Sequence, residues 1–210
     1  MRYLLILAAM SAFAAQPTLT LSGPGTAVAA GSTATLTLAI SGTSGSGLTA
    51  LQVTVSALGW ATVPTIGAAG TSDSKSVYCA ASSGNLLCLI VGMNATALSD
   101  GTLATLAVTV PRSASAGTTT LTLTGIVGAN ASDTSVGVTA GSPFGLNIVS
   151  ACSLTGDATV TQADWTAGLP YYLGTSACTP AADLNSDGVC NILDAQILGV
   201  AVGGGACNAK

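Results

Sequence analysis

Charge is scarce in this chain. Four Lys or Arg and eight acidic residues are spread over 210 positions, every acid is Asp, and His and Glu are absent. Without them the usual general bases and every His-dependent triad are missing. A glycosidase centre needs two carboxyls at a set separation, and residues 16 to 150 offer only Asp73, Asp100 and Asp133. The expectation is a protein that is not an enzyme. No basic patch exists, so nucleic acid is not an expected partner. Aromatic residues are 4% of the chain, which leaves few platforms for sugars. Beyond the amino terminus no stretch holds the ~18 consecutive apolar residues of a membrane span.

The first 15 residues read as a secretory leader. Arg2 supplies a short positive start, Leu4 to Ala9 an apolar run, and Ala12-Phe13-Ala14 a small-x-small cleavage signal. The mature chain would begin at Ala15 or Gln16, and the protein is expected outside the cell. Six Cys in an exported chain read as disulfides. Zinc would call for Cys-x-x-Cys or Cys/His spacing, which is missing.

Residues 16–149 read as strands separated by Gly, Ser and Asn clusters. In TATLTLAI, Ala34, Leu36, Leu38 and Ile40 share one face and Thr33, Thr35 and Thr37 the other. Leu51, Val53 and Val55 alternate with Gln52, Thr54 and Ser56, and Leu106, Val108 and Val110 repeat the pattern, as do Leu121 and Leu123. Period two with one apolar face is the half-buried antiparallel strand. The expected fold class is mainly β: a jelly-roll β-sandwich of about nine strands, followed by a small C-terminal α domain. In VYCAASSGNLLCLIV, residues 77–91, a two-residue turn at Ser83-Gly84 pairs Ser82 with Asn85. Counting back brings Cys79 opposite Cys88 at a non-hydrogen-bonded pair, where Cα atoms stand about 4.5 Å apart. That separation suits a disulfide.

From residue 150 the pattern changes. Five of the eight aspartates lie here, and apolar residues move to helical spacing: Ile192, Leu193, Gln196, Ile197 and Val200, stopped by Gly203-Gly204-Gly205. No Pro/Ser-rich linker precedes this half, so the halves are expected to sit close together. DLNSDGVCNILD, residues 183–194, supplies what calcium requires, six to eight oxygens on a loop that turns sharply. Asp183, Asn185 and Asp187 take positions 1, 3 and 5, and Gly188 permits the turn. Val189 offers its carbonyl at position 7, Asn191 serves at position 9, and Asp194 closes the loop at position 12, where the usual EF-hand has Glu. The competing reading is an Asx-rich turn capping a helix. SLTGDATVTQAD, residues 153–164, puts Ser153, Thr155, Asp157, Thr159, Thr161 and Asp164 at the same places. Hydroxyls replace three of the acidic or amide ligands and Ala158 replaces the Gly, so weak calcium binding or none is expected. Pro170 is expected to shorten or kink the helix that follows.

A tandem of calcium loop plus helix over residues 152–207 resembles a dockerin. DLNSDGVCNILDAQIL matches the dockerin repeat closely, and SLTGDATVTQADW in spacing. Beside it, ALSDGTLATLAVTVPRSASAGTTTLTL, residues 97–123, looks like a cohesin, with an Asp-Gly before a strand and a Pro-bounded loop before the next. The resemblance implies a leader at 1–15, a cohesin-like sandwich at 16–149 and a dockerin-like calcium-binding domain at 150–210. It implies calcium as the cofactor. It also implies a protein partner, a cohesin or dockerin module, which could be a second copy of this chain. In these families the two modules bind each other, assembling polysaccharide-degrading complexes or attaching proteins to cell surfaces. The residues that face the partner correspond to Gln162-Ala163 and Ile192-Leu193, with a place in the core as the competing role for the apolar pair. Cys152, Cys178, Cys190 and Cys207 allow three connectivities. The resemblance, with its adjacent module termini, favours Cys152–Cys207, leaving Cys178–Cys190 to staple the entry to the second loop.

A different class is a carbohydrate-binding module with a calcium-stabilised tail, which would recognise polysaccharide through Trp60, Tyr78 or Phe144. Asn94-Ala-Thr and Asn130-Ala-Ser match the glycosylation acceptor pattern, a match that a Ser/Thr-rich chain produces by chance.

Overall fold

The computed structural model describes residues 16–210, so the expected secretory leader at 1–15 lies outside the described residues. Thirteen strands and three helices follow in order: β1 (Thr18–Ser22), β2 (Val28–Ala29), β3 (Thr33–Ser41), β4 (Leu48–Val55), β5 (Thr62–Ile66), α1 (Ala68–Ser72), β6 (Ser76–Ser82), β7 (Asn85–Val91), β8 (Gly101–Thr109), β9 (Gly117–Leu121), β10 (Leu123–Asn130), β11 (Ser135–Val136), β12 (Thr139–Ala140), β13 (Phe144–Val149), α2 (Gln162–Tyr172) and α3 (Ile192–Val202). This exceeds the expected nine strands. β2, β11 and β12 are two residues long, too short to show any alternation.

The alternating segments become the sandwich. One sheet runs β12-β1-β3-β8-β5, the other β11-β10-β4-β7-β6, and β2-β13-β9 forms a third, smaller sheet. Leu36, Leu38, Ile40, Leu106 and Val108 of the first sheet and Leu51, Val53, Val55, Cys88 and Ile90 of the second are buried in one core. Each such Leu or Ile contributes roughly 1.5–3 kcal/mol relative to exposure, and the Thr residues between them face outward. Pro64 lies on β5, an edge strand, where its missing N–H breaks no ladder between paired neighbours. Between Thr124 and Val127 the register of β10 on β4 shifts. Gly125, with φ 54°, supplies the left-handed residue at that irregularity.

Ser83 and Gly84 both have positive φ, as a type I′ turn requires, and β6 pairs with β7 in the register Ser82↔Asn85 and Cys79↔Cys88. Cys79 and Cys88 are disulfide-bonded with Cα atoms 4.1 Å apart.

After β13 the chain forms two loop–helix units packed through α2 and α3. Their core is small: Cys152, Leu184, Leu198 and Ala201, flanked by Trp165, Tyr172 and Ile197. The helices approach through glycine. A Cβ on Gly168 would stand 2.9 Å from Leu198 and one on Gly199 3.3 Å from the Trp165 ring. Disulfides Cys152–Cys207 and Cys178–Cys190 brace this half. Contrary to expectation, Pro170 does not cut α2 short: both helices span eleven residues. Pro170 lies in the last turn, where one lost backbone bond is outweighed by the capping box at Thr161 and the packing on α3. The two halves touch: the Arg112 guanidinium donates to the Pro180 carbonyl at 2.6 Å, and Cys207 and Ala209 pack against both cores.

Candidate metal centre and docking surfaces

The second loop folds around its own acids. Asp183 Oδ1 accepts from the Asp187 N–H at 3.1 Å and its Oδ2 from the Gly188 N–H at 2.9 Å. Asp187 accepts from the Val189 N–H and the Asn185 side-chain amide, both at 2.9 Å. Asp194, fully buried at the start of α3, accepts from the Asn185 N–H at 3.0 Å and the Asn191 N–H at 2.9 Å. Asn191 caps α3 by accepting from the Leu193 N–H at 2.7 Å. Gly188 turns the chain at φ 86°, a conformation costly to any residue with a Cβ. Among the described residues no three acids, Cys or His converge as a ready metal cluster. The donor set is hard oxygen throughout, three carboxylates, two carboxamides and the Val189 carbonyl, on a loop already bent at position 6. That chemistry fits calcium, not zinc.

The first loop shares half of this frame. Asp164, also fully buried, accepts from the Thr155 N–H at 2.9 Å and the Thr161 N–H at 2.7 Å, the same cross-links that Asp194 makes. Burial alone would raise the Asp164 pKa, but donors on Thr155 and Thr161 outweigh it and hold the carboxyl below its ordinary value. The other half differs. Ser153 donates its hydroxyl to the Asp157 carbonyl at 3.0 Å, where Asp183 accepts. The Thr155 hydroxyl is spent on Asp164 at 2.8 Å, and Asp157 accepts from the Thr159 N–H at 3.1 Å. Gly156 is left-handed with φ 79°, as Ser186 is in the second loop with φ 60°, but Ala158 does not take the positive φ of Gly188. Hydroxyls thus satisfy this loop internally, with two carboxylates in place of three. Close by, the Tyr172 hydroxyl is buried without a hydrogen-bond partner. Burial first, and then the Asp194 carboxylate, push its pKa up to about 12.

Gln162 and Ala163 are exposed at the start of α2. Ile192 and Leu193 are 75% and 54% exposed at the start of α3 and form no part of the core. A second apolar surface escaped the sequence reading. On the outer face of the β10-β4-β7-β6 sheet, Tyr78 opposes Leu89, Leu89 opposes Gln52, and Gln52 opposes Val127. Leu87 lies in the next row, opposite Ala80 and Thr54. Tyr78, Leu87, Leu89 and Val127 are all exposed, on a face with no charged side chain in either row. The signal was present in NLLCLIV, residues 85–91, where apolar residues run on without alternation: a strand apolar on both faces has two surfaces to cover. Of the other aromatics considered for sugar binding, Trp60 and Phe144 pack against the core.

No protein-family model and no curated protein sequence matches the chain. Solved structures do. A non-cellulosomal cohesin from the hyperthermophilic archaeon Archaeoglobus fulgidus aligns at TM-score 0.51 and 19% identity, covering 65% of this chain and 93% of that one. The sandwich has a cohesin-like fold. A chain of Coh-OlpA-Doc918, a type I cohesin–dockerin complex from Clostridium thermocellum, aligns at TM-score 0.52 and 11% identity, over 64% of this chain and 100% of that one. A chain of a type II cohesin–X-dockerin complex from Acetivibrio cellulolyticus aligns at TM-score 0.50 and 14% identity, over 63% and 99%. These identities carry the fold alone. Among the described residues no helix is long and apolar enough to cross a membrane.

Proposed function

We propose that this protein is a secreted, non-catalytic adaptor, with the cohesin-like sandwich as one docking unit and a dockerin-like calcium module, residues 150–210, as the other. Asp183, Asn185, Asp187, Val189, Asn191 and Asp194 hold one calcium ion, and the Ser/Thr loop at 153–164 holds none tightly. The ion secures the turn that leads into α3, and so the presentation of Ile192 and Leu193. The observation that carries the reading is the pair of exposed apolar surfaces: the Tyr78-Leu89-Val127 face on the sandwich and the Ile192-Leu193 pair beside the calcium loop. The proteins it resembles in fold include cohesins caught with dockerins, so the partner of each surface is a module of the other kind, and a second copy of this chain qualifies. A contact between two different surfaces on identical chains propagates head to tail, into a ring where the rotation closes and a fibre where it does not.

Sedimentation velocity over a range of protein concentrations tests this. In calcium the account expects species that grow with concentration, disperse in chelator and vanish in Ile192→Asp/Leu193→Asp. A monodisperse monomer in calcium at high concentration rules out docking between copies. If the chain also captures no module from a panel of cohesins and dockerins, the adaptor reading fails.

A further inference from the structure

Lys75 is one of three basic residues in the described chain, and it is buried, 5% exposed, just before β6. A buried ammonium normally pairs with a carboxylate. Here Nζ donates to a neutral group, the side-chain carbonyl of Asn94, at 2.7 Å. The carboxamide is held on every side. Its Oδ1 also accepts from the Thr96 N–H at 3.0 Å, and its Nδ2 donates to the carbonyls of Asp73 and Ser74 at 3.2 and 3.0 Å. Gly92 makes the room: a Cβ there would stand 2.9 Å from the Lys75 side chain and 2.7 Å from the Ser74 carbonyl. Asp73 is buried too, with Oδ2 accepting from the N–H and hydroxyl of Ser99 at 2.7 and 2.9 Å. Desolvation, the larger effect, lowers the Lys75 pKa and the Asp73 charge offsets part of the shift, so the population of neutral, nucleophilic amine rises.

We propose that Lys75 and Asn94 form an intramolecular isopeptide bond that closes the open end of the β6–β7 hairpin. The neutral Lys75 Nζ attacks Asn94 Cγ. The carbonyl electrons move onto Oδ1, where the Thr96 N–H already donates. A proton passes from Nζ to Nδ2, which the Asp73 and Ser74 carbonyls hold in place. The Cγ–Nδ2 bond then breaks, ammonia leaves, and an Nζ–Cγ amide remains. Nothing is oxidised or reduced and no co-reactant is needed. An amine fixed against one carbonyl in a water-poor site has the proximity this reaction lacks in solution. The bond ties the chain ahead of β6, an edge strand, to the segment after β7, with Cys79–Cys88 between them and the Ser83-Gly84 turn at the far end. Tyr78 and Leu89 sit on the braced pair of strands. The inference stands whether or not that face docks a partner.

Mass spectrometry of the reduced, alkylated full chain tests it. The bond lowers the mass by one ammonia. It also blocks trypsin at Lys75, so that residues on both sides stay in one peptide ending at Arg112. Asn94→Ala should restore the full mass and cleavage at Lys75. A wild-type chain that trypsin cuts at Lys75 overturns the proposal. So does an ammonia loss that maps to a cyclised Gln16 and not to the Lys75–Asn94 pair.

Discussion

Single residues in the two loops carry unequal demands. Gly188 holds φ 86°, and an L side chain there costs roughly 1–2 kcal/mol. Gly188→Ala should therefore destabilise the C-terminal half by about that amount in chelator, measured by denaturant unfolding, while Ala158→Gly in the other loop changes little. Tyr172 presents the opposite case. Its buried hydroxyl finds no partner, so Tyr172→Phe should leave stability unchanged or raise it by up to about 1 kcal/mol; a clear loss would mean the hydroxyl is hydrogen-bonded in solution. Asp100 carries a pH dependence. Its Oδ1 accepts from the Thr43 hydroxyl at 2.6 Å and the Thr43 N–H at 2.8 Å, and these bonds, the hydroxyl first, hold its pKa below the ordinary value. A depressed carboxyl contributes stability above its unfolded pKa and loses it as pH falls through the folded one. The advantage of wild type over Asp100→Asn should thus be full near neutrality and shrink on acidification below the ordinary carboxylate range. Thermal melts of the two proteins across that range check it.

At the level of elements, the β6–β7 hairpin should survive loss of its disulfide, because Leu86 and Ile90 remain buried and β7 still pairs with β4. Cys79→Ala/Cys88→Ala should cost about 2–3 kcal/mol in the chain-entropy picture without unfolding the sandwich, by circular dichroism and denaturant melts. This hairpin was readable to the register from Ser83-Gly84 alone, because turn length dictates strand pairing. β3, β4 and β8 were readable from alternation. The partners of β1, β2 and β12 were not. β1–β12 and β2–β13 are parallel pairings between distant segments, and a two-residue strand leaves no period to read. α2 shows a local rule overridden: Pro170 argued for a short helix, and packing against α3 through Gly168 prevailed. The turn of the 183–194 loop at Gly188 was readable because the residues that shape it are local in sequence. The apolar sheet face was not, because it is assembled from four strands and only β7 carries a hint of it.

On the scale of the whole molecule, the chain separates what holds it together from what it offers outward. Hydrophobic burial supports the sandwich. The C-terminal half, with Leu184 and Leu198 as its largest fully buried apolar side chains, relies on two disulfides, capped helices and, in this account, one metal ion. Arg112 and Pro180 join the halves at their seam, which limits how far they swing apart. The most direct test is calcium titration calorimetry on the full chain, with Asp183→Ala/Asp187→Ala as the control. The account predicts one site, absent in the control. No heat of binding in the wild type would contradict it, reducing residues 183–194 to a helix-capping turn and removing the calcium dependence from the adaptor reading.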